Sequence, residues 1–371
     1  MGREEKPQRQ HIMHLPDGFL DAKTALLSTG VAGAGVGLAL RQVRTTLEPR
    51  QMPMLGLAAA FVFAAQMLNF PVAGGTSGHL LGGVLTAILL GPAAAVLVMT
   101  CVLIVQCLVF NDGGLLALGA NVFNMAIVNA CGGYFVFRLL KRLARMENNR
   151  ATVFAAGFAG WFGTVLASIT CAGQLALSGQ SPWSVAFPAM ALIHILIGAG
   201  EGLATALITM AVLRARPELL AGGQAGCLPH GQLLAGTGEA GALRPARSAG
   251  FSRQDGLGGT GGELCASRPR LLGFGLLISL GLVVFVAPFA CPWPDGLQAV
   301  AKALGFAGQA APPLIKGPVS EYRLPFINSL SAATAVAGVI GAILAFIGAY
   351  GLARLLAPGL DAPKKDAPSG N

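Results

Sequence analysis

What most limits the folding of this chain is a succession of apolar runs at about 22–40, 52–72, 80–90, 92–110, 115–137, 152–177, 189–213, 271–290 and 327–352. Most of them approach or exceed the ~20 residues that cross a ~30 Å hydrocarbon layer as a helix. Charge is correspondingly scarce, with 25 Lys and Arg and 16 Asp and Glu making up 11% of the 371 residues, against about 25% in soluble domains. A soluble enzyme of this length needs a charged surface that these residues cannot supply. The runs lack the two-residue alternation of barrel strands, and main-chain polar groups in lipid need partners within their own segment. The expected fold is therefore an all-α polytopic bundle of about seven transmembrane helices, followed by a two-helix C-terminal module.

The net charge of +9 follows from membrane topology rather than from nucleic acid, because Lys and Arg collect beside cytoplasmic helix ends. Basic clusters follow the first run (Arg41, Arg44, Arg50), the fifth (Arg138, Lys141, Arg142, Arg145, Arg150), the seventh (Arg214, Arg216) and the last (Arg354, Lys364, Lys365). Placing all of them inside demands an even number of crossings between residues 50 and 138. That favours a crossing at 80–90 along with 52–72, 92–110 and 115–137, although Leu80–Gly91 reaches only ~18 Å at ~1.5 Å per residue and reads equally as a short tilted helix, a re-entrant segment or a piece continuous with its neighbour around Gly91-Pro92. The start of the chain and residues 73–79, 111–114, 178–188 and 291–326 then face outward, and the C-terminus faces the cytoplasm. Residues 217–270, crowded with Gly, read as a flexible cytoplasmic linker between a block at 13–216 and a module at 271–357, with 358–371 a disordered tail. Gly256–Glu263 lacks the Gly-Lys-Ser/Thr ending and the preceding strand of a phosphate loop, so no ATP site is expected in this chain. The seven cysteines show no zinc-type spacing and read as small buried hydrophobes.

Two stretches deliver histidines to the same outer face: Met13-His14-Leu15-Pro16-Asp17-Gly18-Phe19-Leu20 and Gly74-Gly75-Thr76-Ser77-Gly78-His79-Leu80-Leu81-Gly82-Gly83. Taken singly, His14 fits an interfacial residue and Asp17 fits the N-cap of the first helix. Gly74, Gly75 and Gly78 permit a tight loop that brings His79 towards the start of the block. Thr76 and Ser77 either hold an imidazole tautomer or cap a helix. His194 and Glu201 are two helical turns apart and share one stripe; His194 is placed to support a pocket, Glu201 to make a structural hydrogen bond. Asn121, Asn124 and Asn129 read as interhelical hydrogen-bond formers, and Asp112 as a turn residue.

Together these motifs resemble the CbiM/NikM family, the substrate-binding membrane component of cobalt/nickel energy-coupling factor transporters. The similarity continues through Asp112-Gly-Gly-Leu-Leu-Ala-Leu-Gly-Ala-Asn-Val-Phe-Asn-Met125 and His194-Ile-Leu-Ile-Gly-Ala-Gly-Glu201, and covers 13–216. Pro294-Asp-Gly-Leu297 and the final apolar helix are similar to the small PDGL (NikN-type) domain that accompanies this family. The resemblance implies Ni²⁺ or Co²⁺ as transported substrate, held in a planar nitrogen set. Carried over, its donors are the free α-amine of Met13, the amide nitrogen and imidazole of His14, and the imidazole of His79. Asp17, Thr76, Ser77, His194 and Glu201 would support them. It also implies a separate transmembrane coupling protein and two ATPase subunits as partners, a location in the cell's inner membrane, and a PDGL-like tail that assists loading. Planar nitrogen geometry suits Ni(II) or Cu(II) and tolerates Co(II), so nickel is only slightly favoured over cobalt. Residues 1–12 depart from the family pattern, since a free amine at Met13 requires translation to start there or the extension to be removed; otherwise His11 would have to stand in. Two other functions compete: an intramembrane serine protease built on Ser77 and His79, and an ion-driven secondary transporter, which would ordinarily show internal repeats.

Overall fold

The computed structural model describes residues 13–143, 148–216, 268–324 and 326–356. The extension 1–12, the tail 358–371 and almost all of the expected linker lie outside the described residues. Helix α1 (Ala22–Thr46) starts at Asp21, whose carboxyl accepts the Thr24 N–H at 3.1 Å. Helix α2 (Met52–Gln66) leads into a hairpin of β1 (Asn69–Val72) and β2 (Thr76–His79), antiparallel with Asn69 opposite His79. Then come α3 (Gly83–Leu90), α4 (Pro92–Phe110), α5 (Leu118–Leu143), α6 (Asn149–Leu177) and α7 (Trp183–Ala215). The C-terminal part contains α8 (Arg268–Gly281, extended by turns Leu282–Val286 and Ala287–Phe289), the short α9 (Gly296–Ala303) and α10 (Leu330–Leu356).

Among the described residues seven helices are long and apolar enough to cross a membrane: α1, α4, α5, α6, α7, α8 and α10. The fold is all-α apart from the hairpin. Two of the apolar runs are shorter helices than expected. The run 52–72 yields a helix of 15 residues, ~22 Å long, because Pro71 cannot donate to a helix ladder and biases Phe70 towards an extended backbone. The run 80–90 yields a helix of only 8 residues, ~12 Å long, which does not span a bilayer by itself. Gly82 (φ +74°) and Gly91 (φ +87°) bound it, and Pro92 opens the next helix. Helices α3 and α4 thus form a helical hairpin: α3 leads away from the end where Leu81 lies, and α4 returns to it at Gln106, which hydrogen-bonds Gln66, itself bonded to the Leu81 carbonyl. Gly83–Ile88 are buried by protein on every side, which is why this segment carries no polar face.

Small residues set the closest contacts. Gly157 and Gly160 of α6 meet Gly202 and Thr205 of α7, the close approach by which helices associate without a hydrophobic drive between them. Gly341 of α10 gives way to the Phe63 ring of α2, and Gly56 of α2 lies against Phe346. The 271–357 region therefore wraps around α2. The middle of α5 is π-helical over Phe123–Gly132, a local widening often found at functional sites.

Candidate metal centre

At one end of the bundle, the non-helical segment from Met13 to Leu20 lies across the ends of α4 and α5. Asn121 clamps it in both directions, accepting the Leu15 N–H at 3.0 Å and donating to the Leu15 carbonyl at 3.1 Å. Asp17 does not cap α1, which Asp21 already does. Its carboxylate instead accepts the N–H groups of Leu115, Leu116 and Ala117 at 3.1, 2.8 and 3.2 Å, the unpaired donors that precede α5. A side chain at Gly114 would collide with that carboxyl, so the Gly-Gly pair at 113–114 is what lets the segment dock.

This docking buries His14 beside His79, with ring centroids 5.7 Å apart. His79 arrives from the other direction: Gly74 and Gly75 adopt φ +75° and +73° at the tip of the β1–β2 hairpin, and Gly78 lies where a Cβ would sit 2.7 Å from Ile197 of α7. The hydrogen bonds of the imidazoles fix their tautomers. The Nδ1–H of His14 donates to Asp112 Oδ1 at 3.1 Å, and the Nδ1–H of His79 donates to the Leu80 carbonyl at 3.2 Å. Each ring is thus left with a lone pair on Nε2, and that of His14 is buried without a hydrogen-bond partner. Burial, reinforced by the neighbouring His14 ring, lowers His79 to about 4, so it stays neutral and able to ligate a metal at ordinary pH.

Asp112, read from the sequence as a turn residue, is central. Its Oδ1 accepts the Met13 N–H at 2.7 Å as well as His14, and its Oδ2 accepts the Tyr322 hydroxyl at 2.8 Å. Burial opposes its charge, but His14, Met13 and Tyr322 together hold it below the usual carboxylate range. His194 of α7 lines the same cavity, of about 80 Å³, with His14, His79, Asn124, Ser168 and Asp295. Its Nδ1–H donates to the Met190 carbonyl at 2.7 Å. Glu201, one stripe further along α7, accepts the N–H groups of Leu81 and Gly82 at 2.7 and 2.8 Å and so pins the chain just after His79. Ser77 Oγ donates to the Trp293 carbonyl at 2.8 Å rather than to an imidazole, so the serine–histidine pair weighed as a protease is not assembled. Thr76 is buried in the same strand. Asn124 links α5 to α6 through Gln174 and Thr170, whereas the Asn129 amide is buried without a partner.

The segment from Cys291 to Arg323 covers this end of the molecule. The Ser77 N–H donates to the Pro294 carbonyl at 2.8 Å, Ala311 N–H to the Asp17 carbonyl at 2.7 Å, and Val319 N–H to the Val109 carbonyl at 3.0 Å. Asp295, N-cap of α9, and Tyr322 both come from it; the sequence marked Asp295 only as part of the Pro294–Leu297 motif and did not mark Tyr322. Among the described residues no three or more His, Cys, Asp or Glu side chains are grouped to hold a metal ion by themselves.

Residues 14–219, more than half the chain, match the family model of the cobalt uptake substrate-specific transmembrane region, CbiM. The chain belongs to that family. It is 43% identical over 210 residues to an Archaeoglobus fulgidus protein provisionally named a fused nickel transport protein, NikMN, covering 56% of this chain and 68% of that one. It is 36% identical over 242 residues to the fused nickel transport protein NikMN of Rhodobacter capsulatus (61% and 70% covered), and 36% over 219 residues to cobalt transport protein CbiM 1 of Pelobacter propionicus (56% and 94%). The crystal structure of a truncated transition metal transporter superposes with a TM-score of 0.50 at 31% identity, covering 54% of this chain and 99% of that one. This CbiM-family chain is accordingly a multi-pass membrane protein. Its matched region contains both histidines, Asp112, His194 and Glu201, while Asp295 and Tyr322 lie beyond it.

Proposed function

We propose that the protein captures Ni²⁺ or Co²⁺ as the substrate component of an energy-coupling factor transporter, with the metal held by Met13, His14 and His79. One observation carries the reading: two buried imidazoles lie side by side, His79 held neutral and His14 turning its Nδ1 to the same carboxylate oxygen that receives the main-chain nitrogen of Met13. Among the described residues no third side-chain donor is grouped with them, and the family resemblance supplies main-chain nitrogens in its place: the free amine of Met13 and the amide nitrogen of His14. Four nitrogens in a plane suit Ni(II) and tolerate Co(II). Asp17 docks the N-terminal segment, Ser77 and Thr76 stiffen the His79 strand, Glu201 fixes the turn after it, and His194 lines the cavity.

In this reading the site end faces outward and the ends of α5, α7 and α10 with Arg138, Arg214 and Arg354 face the cytoplasm of a cell whose inner membrane it spans. A separate transmembrane coupling protein and two ATPase subunits would drive release. The test is metal content and intact mass on one purified sample. A chain starting at Met13 with one Ni or Co, lost in His14→Ala and in His79→Ala, is the expected result. One metal retained by both variants would refute the ligand set. Uptake that persisted in cells lacking the coupling and ATPase subunits would favour an ion-driven carrier instead.

A further inference from the structure

A single carboxylate oxygen, Asp112 Oδ1, contacts both Met13 N (2.7 Å) and His14 Nδ1 (3.1 Å). If the main-chain nitrogen and the imidazole of His14 grip one ion, the chelate ring must close through Nδ1, because Nε2 lies on the far side of the ring. Oδ1 therefore occupies the point that converges on two of the metal's intended donors, each of which would lie ~2 Å from an ion. The oxygen and an ion cannot hold both nitrogens at once. The other oxygen of the same carboxylate is tied elsewhere, to the Tyr322 hydroxyl at 2.8 Å, and the Tyr322 ring is itself stacked on Phe110 with centroids 4.6 Å apart. Glu321 and Tyr322 are consecutive non-glycine residues at φ +56° and +57°, a conformation retained only where surrounding contacts enforce it.

Building on the ligand reading above, we infer that Asp112 is a placeholder for the metal: it keeps Met13 N and His14 Nδ1 converged before the ion arrives, yields them to it by exchange, and stays anchored by Tyr322 so that it can take them back on release. The exchange balances. The His14 proton passes from Nδ1 to the unpartnered Nε2, the amide proton of His14 and the α-ammonium proton of Met13 go to solvent, and Asp112 keeps its negative charge beside the bound cation. Tyr322 is thereby a positioning residue, acting through Asp112 from a part of the chain outside the family-matched region.

The experiment uses the metal-stripped protein beginning at Met13 and Ni²⁺ alone. An infrared difference spectrum on adding one equivalent should contain a carboxylate-stretch change that vanishes in Asp112→Asn and is displaced in Tyr322→Phe, which keeps the ring stack and loses only the hydroxyl. Stopped-flow binding should be about tenfold faster in Asp112→Ala and intermediate in Tyr322→Phe. Stoichiometric binding by the wild type with no carboxylate change assignable to Asp112, or a folded Asp112→Ala that binds at the wild-type rate or no longer binds, overturns the placeholder role. Retention of Ni²⁺ by His14→Ala and His79→Ala is a separate outcome, which refutes the ligand reading on which this one stands.

Discussion

Replacing Glu201 probes how α7 holds the His79 loop. Its carboxylate is 2% exposed and accepts two consecutive N–H groups, Leu81 at 2.7 Å and Gly82 at 2.8 Å, while the Leu81 carbonyl takes a hydrogen bond from Gln66 at 2.9 Å. Hydrogen bonds to a charged group contribute ~1.5–3 kcal/mol each, and a buried donor left without a partner costs ~1–3 kcal/mol. Glu201→Ala strands both donors, so a loss of ~3–6 kcal/mol is expected. Glu201→Gln keeps one acceptor oxygen but turns an NH₂ towards the second donor, so the loss should be about half of that. Because Leu81 lies two residues from His79, the Ni²⁺ affinity should fall in the same order. Unfolding of the metal-free protein in detergent, followed by tryptophan fluorescence, measures the first effect; equilibrium Ni²⁺ titration measures the second. A Glu201→Gln protein within ~0.5 kcal/mol of the wild type would show that the carboxylate does not hold the turn, and the argument from these two bonds would be wrong.

Three further outcomes can be checked. Gly78→Ala places a Cβ 2.7 Å from Ile197, so the hairpin should shift and Ni²⁺ binding weaken by at least tenfold, with partial rescue by adding Ile197→Ala; equal affinities of Gly78→Ala and wild type in a Ni²⁺ titration would contradict this packing. For His79, burial and then the His14 ring lower the folded value to about 4 from 6.5. The unfolded chain therefore takes up a proton below pH 6.5 that the folded form refuses, and stability should fall as the pH drops from 6.5 towards 4; His79→Gln should lessen that slope in a Tm-against-pH series. Asp295 shows the opposite sign. Burial, opposed by the Gln298 N–H, raises it to about 7 from 3.8, so the folded form holds a proton the unfolded form has lost and stability should decline as the pH rises between those values. Asp295→Asn retains a capping oxygen and should flatten the decline in the same series.

Much of the architecture was legible because hydrocarbon thickness is a blunt requirement: a helix of 19 or more residues such as α4, α6 or α7 announces itself by apolar length alone. The two short helices were not, because α3 is surrounded by protein and a buried helix is as apolar as a lipid-facing one. What separates the cases is backbone punctuation: Gly82, Gly91 and Pro92 around α3, and Pro71 after α2, were present in the sequence, and the ~18 Å reach of 80–90 was read from it, but the parity of the basic clusters favoured a crossing there. Within the site, His14 and His79 stood out as ionisable groups in regular motifs. Asp17 was misread as a cap because Asp21, four residues on, fits α1 equally well by composition, and only the course of the chain sends Asp17 to the N–H groups at 115–117 instead.

Asp112 shows why the remainder was hidden. A lone aspartate between an apolar helix and two glycines fits a turn, and nothing local says that it receives Met13, 99 positions earlier, and Tyr322, 210 positions later. Its role comes from where the chain ends of α4 and the Cys291–Arg323 segment meet, which no periodicity encodes. The same reasoning bears on the C-terminal region as a whole. Residues 291–324 supply Trp293 and Pro294 carbonyls to Ser77, Asp295 to the cavity wall and Tyr322 to Asp112, so they form part of the site's wall. Cutting the chain after α7 should then expose Asp112 Oδ2 and the strand edge at Ser77, and speed metal loss even if the histidines keep their places. A truncated protein that released Ni²⁺ as slowly as the full chain would confine the centre to the family-matched region and reduce the C-terminal contacts to packing.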